Sequence, residues 1–242
     1  NAVSGVAIAS ATDPVVLANR NPEVSTLTFG GAGTNADATV SDGWLCLPDG
    51  TQLIAVDELP RSFPHDITNA LAASLAALAA GATVEGVRHT LRSFRGLHHR
   101  VHYVGQVDGV RWYDDSKATT PHAVETALQA FDSVVLIAGG RNKGLDLAAL
   151  GAHVPPVRAV VAIGEAAAEV HKAFHGRCEI RVIETSIADA VAAAAELSKP
   201  GDAVLLSPGC TSFDWFTSYG DRGDQFTDAV RALPGFMTEE AQ

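Results

Sequence analysis

After residue 101 the sequence alternates between apolar, strand-like runs and helix-like segments. Three of the strand-like runs, SVVLIAGG, RAVVAIG and DAVLLSPG, contain almost no charge, as is typical of strands that are buried on both faces. Helical patterns lie between and after these runs, at 121–130, 146–152, 165–175, 186–198 and 223–233. Such alternation is typical of a parallel sheet with helices on both faces. It predicts an α/β fold with a doubly wound, mostly parallel sheet.

The first part of the chain has a different pattern. Short strand-like runs, GVAIAS, EVSTLTFG and GWLCLPDGTQLIAV, precede two helical segments, and Asp49–Gly50 is a hairpin turn signal in the third run. The first helix is predicted to stop at Gly81 and the second to start at Thr83. The pattern changes near Gly96, so we expect two domains, residues 1–96 and residues 97–242.

Composition excludes several classes of protein. The 242 residues carry a formal net charge of −11, which would repel a nucleic acid backbone. The longest apolar runs, 70–80 and 188–197, are rich in alanine and too short to cross a bilayer, and no secretory signal is visible. Three widely spaced cysteines suggest neither a disulfide framework nor a zinc site. We expect a cytoplasmic protein that binds neither nucleic acid nor membrane.

Polar loops follow three of the predicted strands. The loops WYDDSKATT, AGGRNKGLD and SPGCTSFDWF each combine glycine or proline with groups that can bind an anion, namely Lys117, Thr119, Arg141, Lys143 and Ser212. Ligands collect at the carboxyl ends of the strands in such sheets. The three loops therefore predict a pocket for a small, doubly negative ligand. Asp114 and Asp115 would face further charges of the ligands.

The stretches DDSKATTPHAVETAL, LIAGGRNKGLD and LLSPGCTSFDWFTSYGDRGDQF, with PHDITNALAASLAAL and FRGLHHRVHYV upstream of them, resemble the Mur ligases over nearly the whole chain. The Asp-Ser-Lys-Ala-Thr string is similar to that of the branch that adds D-glutamate. The resemblance implies an ATP-dependent ligase that joins D-glutamate to UDP-N-acetylmuramoyl-L-alanine through an acyl phosphate in peptidoglycan synthesis. It also implies that residues 1–96 are the C-terminal part of the central ATP-binding domain. Residues 97–242 would be a Rossmann-like domain that binds the amino acid.

The same resemblance implies roles for individual residues. Lys117 and Asp115 would be catalytic, and Asn69, Asp66, Arg100 and Asp115 would contact ATP. The D-glutamate contacts would be Thr119, Lys143, Ser212, Phe213 and Tyr219. Asp66 stands where the family commonly has asparagine, so an acceptor replaces a donor at one nucleotide contact.

No G-x-x-x-x-G-K-[S/T] phosphate loop occurs in the sequence. The family carries this loop, most magnesium ligands and the UDP-sugar domain upstream of the region that matches this chain. We therefore expect an incomplete, monomeric fragment that is inactive alone. ATP and Mg²⁺ would be its cofactors, and no metal site is expected within the chain.

Two other functions are compatible with the sequence. The chain could be a non-catalytic module that binds an amino acid or nucleotide, or part of a Mur ligase for a different amino acid. Other patterns favour structural roles: His171 and His175 lack the glutamate of a metalloprotease pair, and Cys210 has no base nearby in sequence. GGAGTN at 30–35 lacks the third glycine of a dinucleotide-binding loop.

Overall fold

The computed structural model describes residues 5–238. The chain divides into two compact units, Asn1–Arg95 (unit 1) and Gly96–Gln242 (unit 2). The domain boundary expected from the sequence lies one residue further along the chain, after Gly96.

Unit 1 contains two small sheets and two longer helices. Its elements are β1 Val6–Ser10, α1 Pro14–Ala18, β2 Ser25–Phe29, β3 Thr39–Ser41, β4 Trp44–Cys46, β5 Gln52–Ala55, a 3-10 helix Val56–Glu58, α2 Pro64–Ala79 and α3 Val84–Ser93. Strands β1 and β2 are parallel, and β3, β4 and β5 form an antiparallel sheet. Leu45, Ile54, Leu71 and Leu75 pack in its core.

Local signals in unit 1 explain most of these elements. Gly50 adopts a φ of 83° in the loop between β4 and β5, where glycine is favoured. The Thr83 side chain accepts the Gly86 N–H and caps α3, as the sequence predicts. Helix α1 was not predicted; it is a five-residue helix that Asp13 caps by accepting the N–H groups of Val15 and Val16. A helix this short shows no apolar periodicity.

Unit 2 is a six-stranded sheet covered by helices. Its elements are β6 His102–Val107, β7 Val110–Asp114, α4 Pro121–Leu128, β8 Val134–Gly139, a 3-10 helix Ala148–Ala152, β9 Val157–Ile163, α5 Ala167–Phe174, β10 Glu179–Ile183, α6 Ile187–Leu197, β11 Ala203–Gly209 and α7 Tyr219–Arg231. The strand order is β10-β9-β8-β11-β7-β6. All neighbours are parallel except β6 and β7. The mostly parallel α/β sheet predicted from the sequence is confirmed.

Helices cover both faces of this sheet. Helices α6 and α7 contact one another and pack on one face, where Val135, Val161, Leu206 and Phe226 belong to one core cluster. Helices α4 and α5 contact the sheet and the 3-10 helix between them. Because alternate residues of a strand point to opposite faces, strands covered on both faces are apolar over most of their length. Strands β8, β9 and β11 follow this rule, apart from Arg158 in β9 and Ser207 in β11. Strand β11 lies between β7 and β8, so the chain reverses its direction across the sheet there.

Two predicted helices differ from the structure. The segment 146–152 is a 3-10 helix, Ala148–Ala152, not an α-helix. Helix α7 begins at Tyr219, not at residue 223, because the Ser218 side chain accepts the Asp221 N–H and caps it there. The first difference is in the type of helix. The second is at the start of α7, where a side-chain cap rather than apolar periodicity sets the boundary.

Candidate functional site

Strands β7, β11 and β8 are neighbours and parallel, so the loops that follow them share one edge of the unit 2 sheet. We call the residues of these loops, 115–120, 140–147 and 210–218, the rim. The sequence-predicted residues Asp115, Lys117, Thr119, Lys143, Ser212 and Phe213 lie in it, and Tyr219 begins the helix that follows. This edge is where doubly wound sheets bind ligands.

Asp114 ends β7, and its carboxylate is buried among local partners. Asp114 Oδ2 lies 2.6 Å from His99 Nδ1, and Oδ1 accepts the Ser116 N–H at 2.9 Å. A β-carbon on Gly223 would lie 2.2 Å from His99 Nδ1, so α7 can approach the pair only with glycine there. The Asp114 carboxylate thus holds His99 and the start of the loop.

Asp115 is also buried, with 5% of its surface exposed. Its carboxylate accepts the Val101 N–H at 3.2 Å and the Ser207 hydroxyl at 2.7 Å. Burial raises the pKa of Asp115 to about 7, although both hydrogen bonds lower it. The carboxyl group can therefore carry a proton near neutral pH, and it lies inside the rim.

Arg222, in α7, is fully buried and was not predicted from the sequence. Its Nε donates to the Ser116 hydroxyl at 2.9 Å, and one terminal nitrogen donates to the Ser116 carbonyl at 2.8 Å. The guanidinium also donates to the Cys210 carbonyl at 3.2 Å. Burial lowers the pKa of Arg222 to about 10, which keeps it charged at neutral pH. One side chain thus ties the loop after β7 to the loop after β11.

Lys117 projects from the same loop, beside Tyr219. Its Nζ lies 3.4 Å from the Tyr219 hydroxyl and 5.1 Å from the centre of the ring, within the range of a cation–π contact. The backbone N–H of Lys117 donates to the His99 carbonyl, and the Ser116 hydroxyl donates to the Tyr219 carbonyl at 2.7 Å. The structure therefore brings together one predicted catalytic residue and one predicted substrate contact.

In the loop after β8, Arg141 and Lys143 are both exposed. Arg141 forms a two-point ion pair with Glu165, with N–O distances of 3.0 and 2.7 Å. Hydrogen bonding from Arg141 lowers the pKa of Glu165. Of the two cations predicted to bind an anion here, Arg141 is already paired with a carboxylate. Lys143 is the other cation of this loop.

The loop after β11 is joined to the loop after β8 by backbone hydrogen bonds. Arg141 N–H donates to Thr211 O at 2.8 Å, and Thr211 N–H donates to Arg141 O at 3.1 Å. Ser212 follows with 2% of its surface exposed, whereas Phe213 and Tyr219 are 54% and 40% exposed. The bridge at Arg141 fixes the backbone near Ser212, and the two aromatic rings stand at the open side of the rim.

Two predicted residues lie at the border of this arrangement. Thr119 is partly buried in the loop after β7, and the next residue, Thr120, caps α4 through the Ala123 N–H. Arg100 is exposed just before β6, and its charge is one of the influences that lower the pKa of Asp115. Arg100 and Asp115 are therefore close enough to interact electrostatically.

The remaining predicted ATP contacts, Asp66 and Asn69, lie near the start of α2 in unit 1. Arg61 donates to both oxygens of Asp66 at 3.2 Å. Asn69 is exposed on the same helix. The acidic residue at the usual asparagine position thus has an arginine partner, and its charge is balanced within unit 1.

Features of the sequence that could suggest other functions can be compared with the structure. Burial raises the pKa of the Cys210 thiol to about 12, which keeps it protonated and unreactive. His171 lies in α5 and His175 directly follows it, and their ring centres are 5.3 Å apart. Over residues 5–238, no cluster of three or more His, Cys, Asp or Glu residues is placed to hold a metal ion. No helix in that range is long and apolar enough to span a membrane.

Comparison with known proteins identifies the domain. Residues 99–210 match the family described as Mur ligase, glutamate ligase domain. The chain is 48% identical over 171 residues to UDP-N-acetylmuramoylalanine–D-glutamate ligase of Desulfosudis oleivorans, covering 70% of this chain and 37% of the relative. It is 39% identical over 235 residues to the enzyme of that name from Thiobacillus denitrificans, covering 95% and 49%. The chain thus spans half or less of these curated relatives.

Solved structures show the same fold. MurF from Acinetobacter baumannii superposes with a TM-score of 0.64 at 20% identity, covering 93% of this chain and 52% of that one. MurF ligase from Thermotoga maritima, solved in complex with ADP, gives a TM-score of 0.63 at 19% identity with the same coverage. The matched domain, the curated relatives and the rim of loops at the sheet edge agree, and the chain belongs to the Mur ligase family.

Proposed function

We propose that the protein containing this chain is an ATP-dependent ligase that joins D-glutamate to UDP-N-acetylmuramoyl-L-alanine in peptidoglycan synthesis. The observation that carries the proposal is the placement of Lys117, Lys143 and Ser212 on neighbouring strand ends. The curated ligases that share 39–48% identity with the chain support it. Residues 97–242 are the D-glutamate-binding domain of the proposal, and residues 1–96 are part of the ATP-binding domain.

D-Glutamate offers two carboxylates and an amine. Lys143 supplies an exposed ammonium group, and Ser212 supplies a hydroxyl on a backbone held by the Arg141–Thr211 bridge. Thr119 and the backbone near Phe213 and Tyr219 complete the proposed contacts. A cation with several hydroxyl and N–H donors suits a dicarboxylate better than an amino acid with a single charge.

Lys117 is the proposed catalytic cation. In the first step, the substrate carboxylate attacks the γ-phosphorus of ATP, so that ADP leaves and an acyl phosphate forms. In the second step, the amine of D-glutamate attacks the acyl carbon, and phosphate leaves as the amide forms. Negative charge shifts between oxygens in both steps, and a fixed ammonium group stabilises it most where it is most concentrated. Tyr219 and the His99 carbonyl orient Lys117 for this role.

Asn69, Asp66, Arg100 and Asp115 are the proposed nucleotide contacts. The ion pair between Arg61 and Asp66 balances the acidic substitution at the usual asparagine position, and Arg61 can offer the N–H donors that aspartate lacks. Asp115 is buried and has a pKa near 7. It accepts the N–H of Val101, the residue after Arg100, and precedes Lys117 by two residues.

Mg²⁺ belongs to the proposal as a partner of ATP. The part of the chain that is described offers no cluster of three metal ligands, so the roles proposed here are confined to the chain's own side chains. We further propose that the protein acts in the cytoplasm as a monomer, with small-molecule substrates as its only partners.

The test is ATP-dependent phosphate release with UDP-N-acetylmuramoyl-L-alanine and D-glutamate. Two proteins are compared: this chain, and the chain extended upstream through its gene. We expect activity only in the extended chain. Activity of the extended chain with a different amino acid would assign another member of the family. Silence in both proteins, with nucleotide or amino-acid binding retained, would favour a non-catalytic binding module.

A further inference from the structure

Asp214 lies two residues after Ser212, and its carboxylate lies against the backbone of two other loops. A β-carbon on Gly164 would lie 2.1 Å from Asp214 Oδ2 and 2.9 Å from the Gly140 α-carbon. Gly164 has a φ of 68° and Gly140 a φ of 126°, conformations that suit glycine. Gly164, directly after β9, thus makes room for a carboxylate from the loop after β11. A β-carbon on Gly140 would instead lie 2.4 Å from Thr211 O of the same loop.

Hydrogen bonds join these three loops. Asp214 Oδ2 accepts the Glu165 N–H at 3.0 Å. Gly140 N–H donates to Ile163 O at 3.0 Å, and Ala166 N–H donates to Gly140 O at 2.8 Å. The loops after β8 and β9 are therefore bonded directly to each other, and Asp214 attaches the third loop to them.

Ser212 lies between two such attachments. On one side, Thr211 is bridged to Arg141 by the pair of backbone hydrogen bonds described above. On the other side, Asp214 is bonded to Glu165. Lys143 follows Arg141 by two residues, so both attachments bear on the separation between Lys143 and Ser212.

The charge of Asp214 has a second effect. Asp214 Oδ1 is buried and finds no hydrogen-bond partner within residues 5–238. The carboxylate is nevertheless the largest of the charges that raise the pKa of Arg222, against the lowering by burial. An uncompensated buried charge is costly, so the charge of Asp214 stabilises the guanidinium that holds Ser116 and Cys210.

We propose that Asp214 is a positioning residue for the D-glutamate pocket, which sets the separation of Lys143 and Ser212 without touching either substrate. This inference rests on the proposed function. The Asp214 Oδ2 atom fixes the backbone of the rim, and the negative charge of Asp214 keeps Arg222 in place. Loss of the charge should therefore weaken D-glutamate binding while nucleotide binding is kept.

The first experiment uses the 242-residue chain and needs no substrate. Amide hydrogen exchange is measured for the unsubstituted chain and for Asp214→Ala and Asp214→Asn. We expect the Glu165 amide to exchange at least about tenfold faster in Asp214→Ala, because its acceptor is lost. In Asp214→Asn the carboxamide oxygen can still accept, and protection should remain within about threefold. An unchanged Glu165 amide in Asp214→Ala would overturn the attachment.

The second experiment measures steady-state kinetics in the chain extended upstream. For Asp214→Asn we expect the KM for D-glutamate to rise by about tenfold, with the KM for ATP within about twofold of its original value. The matched control is Asp228→Asn, an exposed aspartate in α7, which should leave both constants unchanged. Melting temperatures are recorded for each variant, so that constants are compared between folded proteins.

Two kinetic results would overturn the inference. One is an unchanged KM for D-glutamate in both Asp214 variants, and the other is an equal rise in the KM values for D-glutamate and ATP. Failure of the proposed function gives a different result, because the unsubstituted extended chain would then show no turnover that depends on D-glutamate. The exchange experiment still decides whether Asp214 holds the rim.

Discussion

The guanidinium of Arg222 bonds to both the hydroxyl and the carbonyl oxygen of Ser116, at 2.9 and 2.8 Å. Ser116 is the residue before Lys117, and its hydroxyl donates a hydrogen bond to the Tyr219 carbonyl at 2.7 Å. Helix α7 is therefore anchored to the loop that carries the proposed catalytic lysine. The separation between Lys117 and Tyr219 depends on this buried arginine.

Arg222→Lys tests the anchor. Lysine keeps the charge but cannot present the planar fork that reaches two oxygens of Ser116 and the Cys210 carbonyl. We expect the free energy of unfolding to fall by about 2 kcal/mol, because buried donors and acceptors lose their partners. Urea unfolding of the 242-residue chain measures it. The control is Arg181→Lys, at the largely exposed pair with Glu196, which should change stability by less than about 0.5 kcal/mol. Equal effects of the two substitutions would contradict the anchor.

Asp115 should make stability depend on pH. Its folded pKa of about 7 exceeds the ordinary value of 3.8, so the folded chain keeps a proton that the unfolded chain releases. The stabilisation is fully present below about pH 4 and is lost as pH rises through about 7, by about 4 kcal/mol in total. Asp115→Asn should therefore gain stability relative to the unsubstituted chain across this window, with no further gain above it.

Denaturant unfolding at several pH values measures the difference between the two proteins. Asp189→Asn is a control with the opposite sign, because hydrogen bonds from Thr185 and Ser186 lower the pKa of Asp189. Asp189 stabilises the folded chain above its unfolded pKa, and this stabilisation is lost as pH falls. A stability difference for Asp115→Asn that does not vary between pH 4 and pH 7 would show that its carboxyl group titrates normally.

Lys143→Ala tests substrate binding in the chain extended upstream. If Lys143 makes the proposed charged hydrogen bond to a carboxylate, its removal should raise the KM for D-glutamate by about 10- to 100-fold, with a smaller effect on ATP. Lys172→Ala removes another exposed lysine, from α5, and should leave both constants unchanged. If Lys143→Ala weakened ATP and D-glutamate equally, Lys143 would not be a specific contact of the amino acid.

Lys117→Ala should act on turnover instead. In the proposed role, Lys117 stabilises the transferring phosphoryl group, so loss of its charge should lower kcat by about 10²- to 10³-fold, with the KM for D-glutamate little changed. Single-turnover phosphate release separates this effect from product release. Tyr219→Phe removes only the 3.4 Å contact with Lys117 Nζ and keeps the ring, so its effect should be small. Near-normal turnover in Lys117→Ala would remove Lys117 from the catalytic residues.

The parts of this arrangement that depend on local pattern could be predicted from the sequence. Apolar strands that alternate with helices place the loops of Lys117, Lys143 and Ser212 on one edge of the sheet. The turn at Asp49–Gly50 was also predicted, and Gly50 has a positive φ value of 83°. These features need only a few neighbouring residues to specify them.

The parts that depend on contacts distant in sequence could not be predicted. Arg222 and Ser116 are 106 residues apart, and an arginine in a charged helical segment ordinarily lies in solvent. Pairing between Arg141 and Glu165, or between Asp114 and His99, likewise depends on which loops meet. In each case the residue types were visible in the sequence, but their partners were decided by the fold.

The most direct test compares D-glutamate with D-glutamine as substrates of the chain extended upstream. The two differ by one charged group, which is proposed to contact Lys143. We expect kcat/KM to be at least about 100-fold lower for D-glutamine, because the neutral carboxamide leaves the Lys143 ammonium group without its charged partner. The preference should largely disappear in Lys143→Ala. Equal use of both amino acids, or a preference that survives in Lys143→Ala, would contradict the assignment of this rim as the D-glutamate pocket.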